Sequence, residues 1–507
     1  MVAADVAIIG YGPVGQALAG YLGQAGVSVA VFERDRYVFE RARTGGVDDE
    51  TMRFLQGLGL AERVMEGTRI PGDFRFLSAD GRVLLSWAAG EQGRNGYARM
   101  YLWHQPDVDH IVRQYVDTLE SVDVRLEHIV DEVIIDEDRV RVRATDRVSG
   151  REVDCEARYV VGCDGGRSVV RPVLDGAFEA LAESERWVVV DLTLTREVAR
   201  LPDEGCHYCD PHRPITFIRN VGERRRWEFM VLPGEDPVEM ERHEKVWALL
   251  RPWLAPDDAE IYRAVGYTFH SLLATRWRNR RALIAGDAAH LMPPFLGQGL
   301  CSGFRDVRNL AWKLIAVLAG RADEGLLDTY GSERAPHVKE FIEMSVRLGS
   351  VIQTLDPVVA AKRDADMLTD PNKTVHTPIP KLGAGLLPES AESPLGTLFP
   401  QPRLTDGRLL DTASGERFTL LGLPSLISSI DRRRLDEWAR HEVAVIADES
   451  PETVDALEKV DAEGVLIRPD RYLLARVGSV DDLDRAAASI PWALEESRGM
   501  TPPVPTR

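Results

Sequence analysis

Residues 5–34 read DVAIIGYGPVGQALAGYLGQAGVSVAVFER. A short β-branched apolar run stops at Gly10, a stretch with helical spacing follows the glycines, and VSVAVFER returns as a second strand. Strand, glycine turn, helix and strand in this order predict a βαβ unit and an α/β fold with a parallel sheet. Gly10 permits the tight turn, Gly12 lets the backbone approach a pyrophosphate, and Gly15 allows the helix to pack closely on the strand. The phosphate then sits at a helix N-terminus, where free N–H groups and the dipole favour an anion. Glu33 ends the second strand eighteen positions after Gly15, where an acid accepts hydrogen bonds from a ribose diol. Pro13, Val14 and Arg34 flank these positions and belong to the expected dinucleotide contacts. The motif alone does not separate FAD from NAD.

The rest of the chain narrows the class. At 507 residues it is too long for one typical core, so two or three domains are expected. A net charge of −19 argues against nucleic acid or an anionic membrane as the main partner. No run is long and apolar enough to span a bilayer, and MVAADVAIIG lacks the basic flank of a signal peptide. The expected location is cytoplasmic. Five irregularly spaced cysteines include one CxxC, CHYC at 206–209, in a stretch that reads as loop. With no second pair to complete a metal site, no metal is expected and the cysteines read as incidental.

Further strands are expected over 123–161, and a separate antiparallel sheet over 186–232. A helix is expected at 299–320, with Leu300, Phe304, Val307, Leu310, Leu314 and Val317 on one face. Eight prolines without periodicity between 357 and 402 predict an irregular connection, followed by a small α/β domain.

Two more stretches carry chemistry. In YVVGCDGGRSVVR, 159–171, a strand delivers Asp164 and Gly165 into a turn, and SVVR reads as a helix start capped by Ser168. In AGDAAHLMPPFLGQGLCSG, 285–303, Asp287 follows a strand at the carboxyl end of the sheet, where ligands bind in open α/β folds. A carboxylate there suits the hydroxyls of a flavin's ribityl chain. The helix that follows points its N-terminus into the same crevice and favours the negative charge of a reduced flavin. Gly297, Gly299 and Gly303 keep side chains away so that backbone amides, with Gln298 and Leu300, approach a flat ring; Pro293 and Pro294 fix the loop.

The three motifs, in this order and at these separations, resemble the group A flavoprotein monooxygenases, the para-hydroxybenzoate hydroxylase fold. The resemblance implies FAD, NADH or NADPH as co-substrate, and O2, with hydroxylation of a phenolic ring through a flavin C4a-hydroperoxide. It implies that Asp164, Gly165, Ser168 and Arg171 serve both FAD and NAD(P)H, and that Arg43 in RARTGG and Gln105 in HQPDVD contact FAD. Residues 267–314, 45–53 and 225–235 are most similar to the 3-(3-hydroxyphenyl)propionate hydroxylases. The implied architecture is a Rossmann-like FAD-binding domain over 1–75, 100–185 and 275–356, and an antiparallel-sheet substrate domain over 76–99 and 186–274. A connection over 357–402 then leads to a C-terminal thioredoxin-like domain over 403–507. No cysteine lies beyond residue 301, so that domain is expected to be structural or to form an oligomer surface, which leaves a homodimer open.

A phenol reacts faster as phenolate, so a base or hydrogen-bond acceptor near its hydroxyl is expected. His270 and Tyr267 in YTFH are the candidates, the alternative being simple alternation on a sheet floor. His290 is expected to brace its loop, and by resemblance the Pro293 and Pro294 carbonyls line an oxygen pocket. Arg219, Arg224, Arg225 and Arg226 either grip a substrate carboxylate or form solvated surface. Two other readings compete: a tailoring hydroxylase of a polyketide or other secondary metabolite, and a non-catalytic flavin-binding regulator.

Overall fold

A computed structural model describes residues 2–492 apart from Arg41 and Val480. Residues 493–507 of the expected C-terminal domain therefore lie outside the described residues. Val2–Ile9 forms the middle of an eight-stranded sheet, with Val29–Phe32 and Glu152–Gly162 parallel on either side. Ala282–Ile284 extends it beyond the latter and Val122–Arg125 beyond the former, again in parallel. His128–Ile135 and Val140–Asp146 add an antiparallel hairpin. The parallel strands are buried on both faces, which is why VAVF and ALI read as unbroken apolar runs.

Register is what assembles the site. Ile9 lies opposite Gly162, and Gly162 lies opposite Ile284. The Gly10, Asp164 and Asp287 turns therefore leave three neighbouring strand ends at one level. Behind them the helices Pro13–Gln24 and Gly299–Leu318 cross closely, because a Cβ on Gly303 would come within 2.7 Å of Val14. The expected apolar stripe of the second helix lies in the core with Phe304, Val307, Leu310 and Leu314, and the helix is buried on its polar side as well, where Arg305, Asp306, Asn309 and Lys313 stand.

The second eight-stranded sheet runs from His290–Leu291 through Ala259–Ala274, Phe178–Leu194, Arg224–Met230, Ile215–Arg219 and Cys206–Tyr208 to Phe74–Leu77 and Val83–Trp87. One face, with Val188, Val190, Phe217, Trp227 and Phe229, packs on Val246 and Leu250 of the helix His243–Leu250. The other face turns toward the strand ends of the first sheet.

Three local expectations change. CHYC begins a strand at Cys206 rather than lying in a loop, since Cys206–Tyr208 pairs on both sides. SVVR leads into only a 3-10 turn, Arg171–Leu174, although Ser168 Oγ accepts from the Val170 and Arg171 amides as a cap would. The proline-rich connection opens with a helix, Pro357–Thr369, because Pro357 sits at its tolerated first position and Asp356 caps it. Among the described residues no helix is long and apolar enough to cross a membrane.

The C-terminal portion is built on four strands, ordered Ala444–Ala447, Thr419–Gly422, Gly464–Ile467 and Leu473–Val477. Buried charges tie it to the first sheet's helices. Arg53 makes a bidentate pair with Asp411 (2.8 and 2.7 Å), and Arg468 makes one with Glu333 (2.8 and 2.7 Å). Glu333 also accepts from Lys313 (2.7 Å) and Asn309 (2.9 Å). A separate chain of bonds starts at Tyr472, whose hydroxyl lies 3.0 Å from His337 Nε2. His337 Nδ1 accepts from Arg334 (2.9 Å), and Arg334 donates to Asp306 (2.9 Å). Asp306 in turn accepts from His290 Nε2 (2.7 Å) and from the Gly286 amide (3.0 Å).

Candidate active site

The three strand ends and the inner face of the second sheet enclose one cavity of about 600 Å³. Its first end is built from the glycine turn. Gly10 adopts φ +95°, and a Cβ there would stand 2.5 Å from the Cys163 carbonyl oxygen. Gly15 is packed as expected, with no room between the helix and the Gly10 carbonyl. Glu33 Oε2 accepts from the Tyr11 amide (2.7 Å), which fixes the carboxylate at the cavity wall. Gln105 Oε1 accepts from the amides of Arg43 and Thr44 (both 3.0 Å), so it shapes that loop while lining the cavity itself.

This end fits a flavin dinucleotide. A Cβ on Gly12, Gly165 or Gly297 would meet nothing within 4 Å, so these turns offer bare backbone to a ligand. Asp164 Oδ2 accepts from the Val169 and Val170 amides, whereas its Oδ1 is buried without a partner. A buried acceptor left over in a cavity wall points to a donor supplied by a ligand. Asp287 is accessible from the cavity yet surrounded by protein, and that desolvation raises its pKa.

Asp109 also lines this end, and burial pushes its carboxyl up to about 7. Its unfolded value is about 3.9, so ionisation costs the folded state stability as pH rises from about 4 to 7, and the cost is constant above that. Asp109→Asn is therefore expected to stabilise the protein by about 2–4 kcal/mol at pH 8, with the gain shrinking toward pH 5. Chemical unfolding across that range checks the sign.

Most expected site residues line the cavity: Gly10, Gly12, Pro13, Val14, Glu33 and Arg34 from the first motif, with Arg43 and Gln105. Asp164, Gly165, Asp287, Pro293, Pro294, Gly297, Gly299 and Leu300 line it as well. Three do not. His270 is turned away, because alternation along its strand gives Tyr267 and Phe269 to the cavity while His270 Nδ1 bonds Ser184 Oγ at 2.7 Å. Gln298 is buried with its Oε1 accepting from Arg305 (2.8 Å). Arg171 donates to the carbonyls of Ala288 and Gly166, holding the second and third motifs together from outside the cavity. His290 braces its loop through Asp306.

The arginine cluster fits neither expectation. Arg225 and Arg226 are buried rather than solvated, and Arg226 is already saturated. It pairs with Asp191 (2.7 Å) and donates to the carbonyls of Ala42 and Arg43, while Arg263 donates to the same Asp191 (3.2 Å). Neither arginine is left over for a substrate carboxylate.

Sequence reading passed over the groups at the second end. His207, Thr216 and Glu228 form one cross-strand row, since His207 lies opposite Thr216 and Thr216 opposite Glu228. All three are buried and line the cavity. Around them stand Phe74, Trp87, Phe269, Met292 and Phe295. The available signal was the alternation of Arg226 and Glu228 with Trp227 and Phe229, which on its own reads as a solvent-facing edge.

Residues 3–345 match the family described as FAD binding domain. The chain belongs to this family. Over its full length it is 37% identical to a probable NADH-specific resorcinol 4-hydroxylase of Rhodococcus jostii, covering 96% of that protein. A 3-(3-hydroxy-phenyl)propionate/3-hydroxycinnamic acid hydroxylase of Mycolicibacterium smegmatis is 37% identical over 83% of this chain and 77% of its own length. The fold superposes on the flavin-dependent monooxygenase PieE, solved with FAD and substrate, with a TM-score of 0.82 over 98% of this chain and 99% of that one at 22% identity. As a family member the chain is an FAD-dependent aromatic hydroxylase that consumes reduced nicotinamide cofactor and O2.

Proposed function

We propose that the substrate is a small uncharged phenol of the resorcinol type, hydroxylated with NADH as reductant. The observation that carries this reading is the charge balance of the sheet wall. Arg226 and Arg263 face Asp191 and Glu228, so the wall has no net positive charge with which to hold an arylpropionate carboxylate. No lysine lines the cavity among the described residues. The whole-length similarity to a protein named as an NADH-specific resorcinol 4-hydroxylase supports the same choice.

In this reading Gly10, Gly12 and Glu33 hold the dinucleotide portion of FAD, Asp164 and Asp287 accept from its polyol chain, and the Gly297–Leu300 turn lies against the ring. When bound, FAD carries electrons from the nicotinamide to O2 and supplies the oxygen that enters the substrate. The protein orients the phenol against the Pro293–Pro294 loop, and the aromatic walls keep water out.

Aerobic oxidation of NADH and NADPH by the FAD-loaded protein tests this, with resorcinol, phenol and 3-(3-hydroxyphenyl)propionate compared and the products weighed by mass spectrometry. Resorcinol is expected to stimulate NADH oxidation and give a product one oxygen heavier, with kcat/KM about tenfold or more above the arylpropionate. Preference for the arylpropionate overturns the substrate assignment. Failure of every phenol to stimulate would favour a larger natural-product substrate.

A further inference from the structure

We propose that His207 and Glu228 are the two groups that read the substrate's hydroxyls, which makes the preferred ring one with two hydroxyl groups that are not adjacent. This inference rests on the phenol reading above and assigns its recognition to two side chains outside the three cofactor motifs.

The geometry begins with the sheet. His207, Thr216 and Glu228 occupy consecutive strands at one level, so His207 and Glu228 are two strand spacings apart, about 10 Å between Cα atoms. Their side chains share the cavity face with Val189 and Tyr267. His207 Nδ1 is bonded to Thr216 Oγ1 at 2.8 Å, which orients the ring and leaves Nε2 without a protein partner among the described residues. Phe74 and Phe295 meet the imidazole edge-on at 4.8 and 6.2 Å between ring centres. Burial holds this imidazole neutral, at a pKa of about 3, so it offers a hydrogen bond rather than a charge.

Glu228 differs from the other acids of the wall. Asp191 is bonded to both arginines, whereas Arg226 stands 3.9 Å from Glu228, too far for a hydrogen bond. Glu228 is 5% exposed and lines the cavity. Burial raises its pKa, against the lowering effect of Arg226 and Arg263, with Asp191 adding to the rise. A buried acid in this condition is suited to take a proton from a phenol. Two buried polar groups facing one apolar pocket are satisfied together only by a ligand with two polar sites. A single phenol leaves one of them unpaired, and adjacent hydroxyls are too close to span the intervening Thr216.

The proton step follows. The phenolic O–H breaks, its proton passes to a Glu228 oxygen, and the ring becomes electron-rich at the positions ortho and para to that oxygen. Once the ring carbon has received oxygen, the carbonyl formed from the phenol regains the proton from Glu228. The O–O bond of O2 breaks as that carbon–oxygen bond forms. The C–H proton of the same carbon leaves to the second oxygen atom, which ends as water, and aromaticity returns.

The test uses the FAD-loaded enzyme. In wild type, binding titrations followed by flavin absorbance are expected to give resorcinol a Kd at least about tenfold below phenol, catechol and 3-methoxyphenol. Equal affinities overturn the two-point reading with no variant needed. Glu228→Gln is expected to keep FAD and resorcinol binding while kcat for the hydroxylated product falls about 100-fold. His207→Phe, which keeps the aromatic packing, is expected to erase the resorcinol-over-phenol preference in kcat/KM. If both variants match wild type on every phenol, the assignment of His207 and Glu228 falls and the phenol reading stands. If wild type responds to no phenol, both fall.

Discussion

Replacing Glu333 by Gln is expected to destabilise the protein by about 3–5 kcal/mol, the largest single effect outside the cavity. The carboxylate is fully buried and receives four hydrogen bonds from Arg468, Lys313 and Asn309, at 2.7–2.9 Å. Burial alone would raise its pKa, but Arg468 and Lys313 outweigh that and hold it well below the usual carboxylate range. A lowered carboxyl gives its full stability above the unfolded value of about 4.3 and loses it progressively as pH falls from there to the folded value. The ion cluster therefore persists through mild acid in wild type. In Glu333→Gln, Lys313 loses its carboxylate and Arg468 keeps only Asp470, leaving positive charge buried and uncompensated. Urea unfolding at pH 7 should show the loss, and limited proteolysis should cut within 370–409, where the connection is irregular. An unfolding midpoint equal to wild type would mean that solvent reaches the cluster.

Gly10→Ala is expected to yield protein with less than about a tenth of the FAD content of wild type and no phenol-stimulated NADH oxidation. Two independent penalties act at this residue. The backbone stands at φ +95°, which costs a residue with a Cβ of the order of 1–3 kcal/mol. The new methyl would also approach the Cys163 carbonyl oxygen to 2.5 Å. That oxygen belongs to the neighbouring strand end, so relieving the contact separates the first and second motifs, which together make the dinucleotide end of the cavity. The ratio of flavin to protein absorbance after purification reads the outcome. An unchanged ratio would show that the turn relaxes without disturbing the cofactor.

The two ends of the cavity differed sharply in how far sequence exposed them. The FAD end was legible because each glycine answers a local requirement, such as the turn at Gly10 or the packing at Gly15, and because the acids sit at fixed distances from strand ends. Its second tier was less so. Gln298 and Arg171 occupy motif positions yet serve neighbours, Arg305 and the Ala288 and Gly166 carbonyls, and only three-dimensional packing chooses between such partners. The substrate end was hidden by an inversion of the usual rule. Strand residues such as Arg226 and Glu228, polar against apolar neighbours, ordinarily point to solvent. Here the apolar face is covered by the helix at 243–250, and the polar face closes on the cavity. The same inversion explains why YTFH was legible only to within one residue. Tyr267 and Phe269 reach the cavity, and His270 falls on the far side of the alternation.

The chain of contacts from Tyr472 through His337 and Arg334 to Asp306 bears on how this scaffold can be recombined. Asp306 anchors the Gly286 amide, one residue before Asp287, so the C-terminal strands help set the backbone at the flavin end. Swapping the C-terminal portion for that of a relative thus amounts to replacing a wall that bears on the hearth. A chimera would have to transplant Tyr472, Arg468 and Asp470 with the faces they meet on His337, Arg334 and Glu333. A catalytic fragment trimmed after the helix that ends at Ile352 would leave those buried charges open to water.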